Sequence, residues 1–69
     1  MKNKRMKIAR IECDLTQDQL AEKVGVARQT IGLIEAGKYN PSISLCIDIC
    51  HTLNKTLDEL FWPVDQEDK

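Results

Sequence analysis

Apolar residues recur at helical spacing in the segment 16–25, and the residues around them mark where a helix begins and ends. Thr16 and Gln19 form the pattern of a capping box, which predicts a helix that starts at residue 17. The apolar residues that share one face of this helix are Leu20, Ala21 and Val24. Gly25 adopts positive φ without steric cost, so we expect it to end the helix and open a tight turn.

A second helical pattern follows at once and should end at Gly37, with Ile31 and Ile34 facing inward. Three polar residues crowd its first turn and can point outward: Arg28, Gln29 and Thr30. Arginine and glutamine make bidentate contacts to the guanine and adenine edges in the major groove. Two short helices with such residues at the start of the second one indicate a DNA-recognition unit.

Residues 6–61 resemble the lambdoid-repressor or XRE type of helix-turn-helix domain. The similarity is carried by the segments RQTI from Arg28 and IEAGKYNPS from Ile34, and it is strongest to the small stand-alone bacterial regulators that include the cytolysin repressor. The resemblance implies an all-α, five-helix, lambda-repressor-like DNA-binding domain. It also implies a homodimeric regulator, most typically a repressor, which binds a near-palindromic operator. It also allows a small antiparallel β element formed by the chain ends, with Val64 as a member.

Three further helices are predicted around this unit. The first should span residues 2–13, with Met6 and Ala9 facing inward. Ser42 should cap a fourth helix that ends at residue 53, and Thr56 with Glu59 forms a second capping box for a short fifth helix over residues 57–61. The apolar stripe of the fourth helix consists of Ile43, Leu45, Cys46, Ile49, Cys50 and Leu53.

The candidate DNA contacts divide into base readers and backbone contacts. Arg28 and Gln29 are the expected base readers, and Leu33 is suited either to a thymine methyl or to packing. Thr30 is assigned to the backbone, and the resemblance implies backbone contacts for Gln17 and for the loop residues Lys38, Tyr39 and Asn40. The alternative for the loop is a surface turn that serves geometry alone. Gly32 either lets the backbone approach the groove or is a tolerated weak point.

The resemblance also assigns structural roles. Arg10 should pair with Glu35 and tie the first helix to the end of the recognition helix. Asp14 stands where relatives usually have glycine, in a turn that needs left-handed geometry. Ala27 stands where relatives commonly have a serine or threonine cap, so the recognition helix should lack a side-chain cap.

More apolar side chains are present than one small domain needs, which suggests a two-fold dimer. The expected interface residues are Ile8, Ile11, Leu60, Phe61, Trp62 and Val64. We expect residues 1–64 to form the DNA-binding domain with its dimerising segment and residues 65–69 to be a disordered tail.

The net charge of −1 argues against nucleic-acid binding, but its distribution reverses that conclusion. Residues 1–38 carry eight Lys and Arg against five Asp and Glu, a net of +3, whereas residues 39–69 carry two against six, a net of −4. The basic half contains the helix-turn-helix. Four cations near the amino end suit either DNA phosphates or a solvated face: Lys2, Lys4, Arg5 and Lys7. No signal peptide or membrane-spanning run is apparent, which predicts a cytoplasmic protein.

Catalysis and metal binding are not predicted. Cys46 and Cys50 lie on the apolar stripe, and His51 points about 100° away from Cys50 on a helix, so burial is favoured over a metal or redox site. Cys13 is expected to be a free thiol. No nucleophile triad or phosphate-binding loop is recognisable, so the chain is predicted to be neither an enzyme nor bound to a cofactor. An antitoxin-like protein whose main ligand is another protein is the alternative function, and a protein-docking adaptor is a third.

Overall fold

The computed structural model describes residues 3–62, and this part of the chain forms five helices with no strand. The helices are α1 (Lys4–Glu12), α2 (Gln17–Val24), α3 (Arg28–Glu35), α4 (Ile43–Leu53) and α5 (Leu57–Leu60). The all-α, five-helix architecture is therefore confirmed. The proposed terminal β element, Val64 and the tail over residues 65–69 lie outside the described residues.

The capping residues set the helix starts that the sequence predicted. The Thr16 hydroxyl accepts from the Gln19 amide at 3.1 Å, and the Gln19 side chain accepts from the Thr16 amide at 2.9 Å. Ser42 caps α4, and the Glu59 carboxylate accepts from the Thr56 amide at 2.8 Å at the start of α5. Local hydrogen bonding, which sequence spacing reveals, fixes these three boundaries.

The first helix is shorter than predicted because Asn3 caps it. The Asn3 side-chain oxygen accepts from the Met6 amide at 3.0 Å, so α1 begins at Lys4. The Asn3 side-chain amide donates to the Leu60 carbonyl at 2.9 Å, and its backbone N–H donates to the Glu35 carbonyl at 2.9 Å. One asparagine thus joins the start of α1 to the ends of α3 and α5.

Left-handed backbone closes the turns where the sequence predicted it. Gly25 and Gly37 have φ of 78° and 76°, and Asp14 has φ of 59° in the turn after α1. Asp14 therefore adopts the left-handed conformation that the family resemblance implied for this turn, and aspartate tolerates it better than most residues.

All five helices contribute to the core, which contains Met6, Ala9, Leu20, Ala21, Ile31, Ile34, Ile49, Cys50, Leu53 and Leu60. Two expectations about apolar residues are wrong. Leu60 is only 2% exposed, because α5 turns it into the core, so it cannot belong to an exposed interface. Ile43 is 69% exposed, because the first turn of α4 extends past the core that begins at Cys46.

Candidate nucleic-acid interface

The helix-turn-helix is formed by α2 and α3 and the turn between them. The N–H groups of Gly25 and Val26 both donate to the Ala21 carbonyl, at 2.8 and 3.0 Å, which closes the end of α2. Ala21 is 2% exposed, and a side chain this small lets the two helices approach closely. Ile31 and Ile34 bury the inner face of α3, so its opposite face remains available to solvent.

The start of α3 presents the predicted base readers. Arg28 and Gln29 are exposed and Thr30 is half-buried. Ala27 has the extended backbone of a cap residue, with φ −71° and ψ 148°, but it provides no side-chain hydrogen bond, as the sequence predicted. The Thr30 amide instead donates to the Ala27 carbonyl at 3.0 Å. The hydrogen bond that closes the first turn of α3 therefore comes from the backbone and not from a capping side chain.

Asp18 lies beside Arg28, a contact between two helices that is not predicted from the sequence. The Asp18 carboxylate is 3.8 Å from Nε of Arg28, and the two side chains are 76% and 65% exposed. In the sequence, the one hint of this contact is that Asp18 lies in the first turn of α2. A helix-turn-helix brings that turn near the start of α3. An acidic group therefore lies against the principal candidate base reader.

The end of α3 is held by a buried ion pair, which confirms the role implied for Arg10 and Glu35. Nε of Arg10 lies 2.8 Å from the Glu35 carboxylate, and the residues are 8% and 7% exposed. Arg10 also donates to the Leu15 carbonyl at 2.8 Å. The Gln17 side-chain nitrogen donates to Glu35 at 3.0 Å, so three helices meet at one carboxylate.

Gln17 lies over Gly32 in the middle of α3. A Cβ at Gly32 would be 3.7 Å from the side-chain nitrogen and oxygen of Gln17, which is an ordinary contact distance. Position 32 therefore has room for an alanine, whereas a larger side chain would meet Gln17. Leu33, the next residue, is 37% exposed, and both of its predicted uses are compatible with that exposure.

The loop after α3 exposes the other predicted backbone contacts. The Lys38 N–H donates to the Leu33 carbonyl at 2.9 Å and the Gly37 N–H to the Ile34 carbonyl at 3.0 Å, which is a Schellman motif. The motif turns the chain away from the helix axis. Lys38, Tyr39 and Asn40 follow, and all three are exposed.

Two exposed apolar surfaces lie elsewhere on the molecule. The α1 face consists of Ile8 and Ile11, each 54% exposed. Arg5, on the same helix, donates to the carbonyl of the exposed Trp62 at 2.6 Å. The α4 ridge consists of Ile43 and Ile47, which are 69% and 43% exposed and lie one turn apart. Sequence reasoning missed the ridge because Ile43 fits the spacing of the core stripe.

The cysteines occupy the environments that the sequence predicted. Cys46 and Cys50 are 6% and 4% exposed, and burial raises the pKa of both thiols. Cys13 is exposed as a free thiol. Within residues 3–62, no three His, Cys, Asp or Glu side chains are grouped closely enough to hold a metal ion.

Comparison with known proteins identifies the class. The helix-turn-helix family model matches residues 6–60. An HTH-type transcriptional regulator of Methanocaldococcus jannaschii is 45% identical over 67 residues, which cover 97% of this chain and 100% of that protein. The regulator YgzD of Bacillus subtilis is 42% identical over 62 residues, covering 90% and 92%.

A solved structure shows the same fold. The restriction-modification controller protein C.AhdI of Aeromonas hydrophila superposes with a TM-score of 0.79 at 29% identity, covering 86% of this chain and 89% of that one. The chain therefore belongs to the helix-turn-helix family of DNA-binding transcriptional regulators, which is not a class of enzymes. Within the described residues, no helix is long and apolar enough to cross a membrane.

Proposed function

We propose that this chain is a cytoplasmic, homodimeric repressor that reads a near-palindromic operator with the start of α3. The observation that carries the proposal is the exposure of Arg28 and Gln29 on the first turn of the second helix of the helix-turn-helix. These side chains have the donor and acceptor geometry for guanine and adenine edges. Leu33 completes the reading face as a partner for a thymine methyl.

Backbone contacts would come from both sides of the reading face. Lys38, Tyr39 and Asn40 offer a cation, a hydroxyl and an amide in one exposed loop. Gln17 uses one hydrogen of its side-chain amide for Glu35, which leaves the second hydrogen for a phosphate. Thr30 is half-buried at the edge of the face, where its hydroxyl suits a phosphate oxygen.

The proposed dimer buries the α1 face together with the end of the chain. Ile8 and Ile11 lie next to each other on the exposed side of α1, and an exposed apolar surface is a common site of association. The proposed interface also includes Phe61, Trp62 and Val64. It no longer includes Leu60, because that side chain is buried in the core. A two-fold dimer would put the recognition helices about 34 Å apart, one turn of DNA.

Selection of bound duplexes from a random pool at physiological salt tests the function. A palindrome with half-sites one helical turn apart should be enriched, and a reporter promoter carrying it should be silenced by the protein. Arg28→Ala should cost about 1–3 kcal/mol of binding free energy and relax one base position. Lys38→Ala should instead weaken all sequences and lower the salt slope by about one. Failure to enrich any sequence with folded protein would refute the proposal.

Sedimentation or light scattering tests the interface, with the α4 ridge as the matched surface. Ile8→Asp should shift the protein to a monomer, because it places a charge in the buried centre of the proposed dimer. Ile43→Asp, on the other exposed apolar surface, should leave the dimer intact. If Ile43→Asp gives a monomer and Ile8→Asp does not, the interface lies on α4 instead. If the wild-type protein is a monomer at all concentrations, there is no dimer.

The second candidate is an antitoxin-like protein that binds another protein and represses its own gene. The observation that favours it is the α4 ridge, since a dimer through the α1 face leaves Ile43 and Ile47 exposed. A toxin gene beside this one would support it. Purification with a second small protein that Ile43→Asp releases would support it as well, whereas recovery of the chain alone from its own host would oppose it.

A further inference from the structure

The contact between Asp18 and Arg28 is not explained by stability. Both side chains are largely exposed, with the carboxylate 3.8 Å from Nε, and exposed ion pairs of this kind contribute little to folding. On a surface that meets DNA, a carboxylate also repels phosphates and lowers non-specific affinity. Asp18 also stands in the first turn of α2, where a carboxylate favours the helix start. That role does not require Arg28, so the contact between the two side chains points to recognition.

The atoms involved suggest that explanation. The Asp18 carboxylate approaches Nε of Arg28 to 3.8 Å, which is an ion-pair distance rather than a hydrogen bond. The guanidinium carries five N–H donors in a fixed fork, so Nη1 and Nη2 remain available for the O6 and N7 acceptors of guanine. Without a partner at Nε, the same side chain is free to swing to a phosphate, which arginine binds equally readily.

We propose that Asp18 is a specificity-determining residue that positions Arg28 as a base reader. Its carboxylate orients the guanidinium through Nε and repels phosphates from that side. Arg28 therefore loses less conformational freedom when it binds guanine, and the competing phosphate contact is disfavoured. This role rests on the proposed function, because it requires that Arg28 reads a base.

Glu22 provides the matched control. It is an exposed acidic residue one turn after Asp18 on α2, and within residues 3–62 it forms no ion pair. Asp18→Asn and Glu22→Gln each remove one negative charge at nearly constant side-chain size, and Asp18→Asn also removes the acidic residue of the first turn of α2. A general electrostatic effect of acidic residues on DNA binding should be shared by both variants, whereas positioning of Arg28 should be lost only in the first.

The test measures the dissociation constants for the selected operator, for the operator with the base pair read by Arg28 replaced, and for an unrelated duplex. Asp18→Asn should reduce discrimination against the replaced base pair about three- to tenfold and tighten binding to the unrelated duplex. Glu22→Gln should leave discrimination unchanged. In the Arg28→Ala background, Asp18→Asn should have no further effect on discrimination. Thermal melting should show each variant folded.

Each failure has a different meaning. Equal discrimination in Asp18→Asn and Glu22→Gln would overturn the role of Asp18 while Arg28→Ala still identified the reader. Loss of discrimination by Asp18→Asn in the Arg28→Ala background would show that Asp18 reads a base itself, which also overturns positioning. If the wild-type protein selects no sequence, the proposed function fails, and the role of Asp18 fails with it.

Discussion

Two arginine–carboxylate pairs lie at the two ends of α3 in opposite environments. At the carboxyl end, Arg10 and Glu35 meet at 2.8 Å with side chains 9% and 5% exposed. At the amino end, Arg28 and Asp18 approach to 3.8 Å with side chains 65% and 76% exposed. Both pairs join an arginine to a carboxylate, so burial is the main difference between them. The fold depends on the buried pair, whereas solvent and ligands can compete for the exposed one.

The other contacts of α3 follow the same division. At the carboxyl end, the Asn3 N–H donates to the Glu35 carbonyl, the Gln17 side chain binds the Glu35 carboxylate, and Gly37 closes a Schellman motif. At the amino end, Ala27 offers no side-chain cap. The helix is therefore fixed where it joins the core and adaptable where its proposed base readers begin, which suits a helix that approaches DNA by its first turn.

The largest expected effect comes from breaking the buried pair. Glu35→Gln removes the charge opposite the Arg10 guanidinium, so it should destabilise the protein by about 3 kcal/mol or more. For a domain of this size, each kcal/mol lowers the melting temperature by about 4–8 °C. Denaturant or thermal unfolding measures the change, with Glu22→Gln as the exposed control. A loss below about 1 kcal/mol would contradict the assignment.

A second variant separates the buried charge from the packing. Replacing both partners, as Arg10→Met with Glu35→Leu, leaves no unpaired charge in the core. This double variant should recover part of the stability that Glu35→Gln loses. No recovery would show that the bonds from Arg10 to Leu15 and from Gln17 to Glu35 matter more than the ion pair itself.

Removal of the cap on α2 should have an intermediate effect. Thr16→Ala deletes the hydroxyl that accepts from the Gln19 amide, which should cost about 1 kcal/mol of unfolding free energy. Ser44→Ala, an exposed position inside α4, is the control and should be neutral or slightly stabilising. If the two substitutions have equal effects, the capping box does not stabilise the start of α2.

Adding a cap to α3 should have a smaller effect with the opposite sign. Ala27 already has cap geometry, so Ala27→Ser should raise the unfolding free energy by about 0.5–1 kcal/mol. The gain falls short of a full cap because the Thr30 amide already donates to the Ala27 carbonyl. Ala36→Ser, at the other end of α3, should give no gain. An unchanged melting temperature for Ala27→Ser would show that the first turn needs no further acceptor.

Sequence reasoning succeeded where the determinants are local and failed where they depend on packing. Thr16 and Ser42 accept from amides three residues away, and the Thr56 amide donates to Glu59 three residues on. Spacing along the chain therefore identifies these helix starts. The contact of Asp18 with Arg28 joins residues on different helices, and no pattern along the chain contains it. The sequence assigns Leu60 to an exposed interface and Ile43 to an apolar stripe, whereas the packing of α5 buries Leu60 and the limit of the core leaves Ile43 exposed.

The smallest expected effect on stability comes from breaking the exposed pair of Arg28 and Asp18, in contrast to the buried pair of Arg10 and Glu35. Arg28→Ala removes a side chain that is 65% exposed and whose ion pair is long, so unfolding free energy should change by less than about 0.5 kcal/mol. The same substitution should cost about 1–3 kcal/mol of operator-binding free energy. Measuring unfolding and binding on one preparation compares the two effects directly. A stability loss above about 1 kcal/mol would mean that the start of α3 also depends on its ion pair. The division between a fixed end and an adaptable start would then be lost.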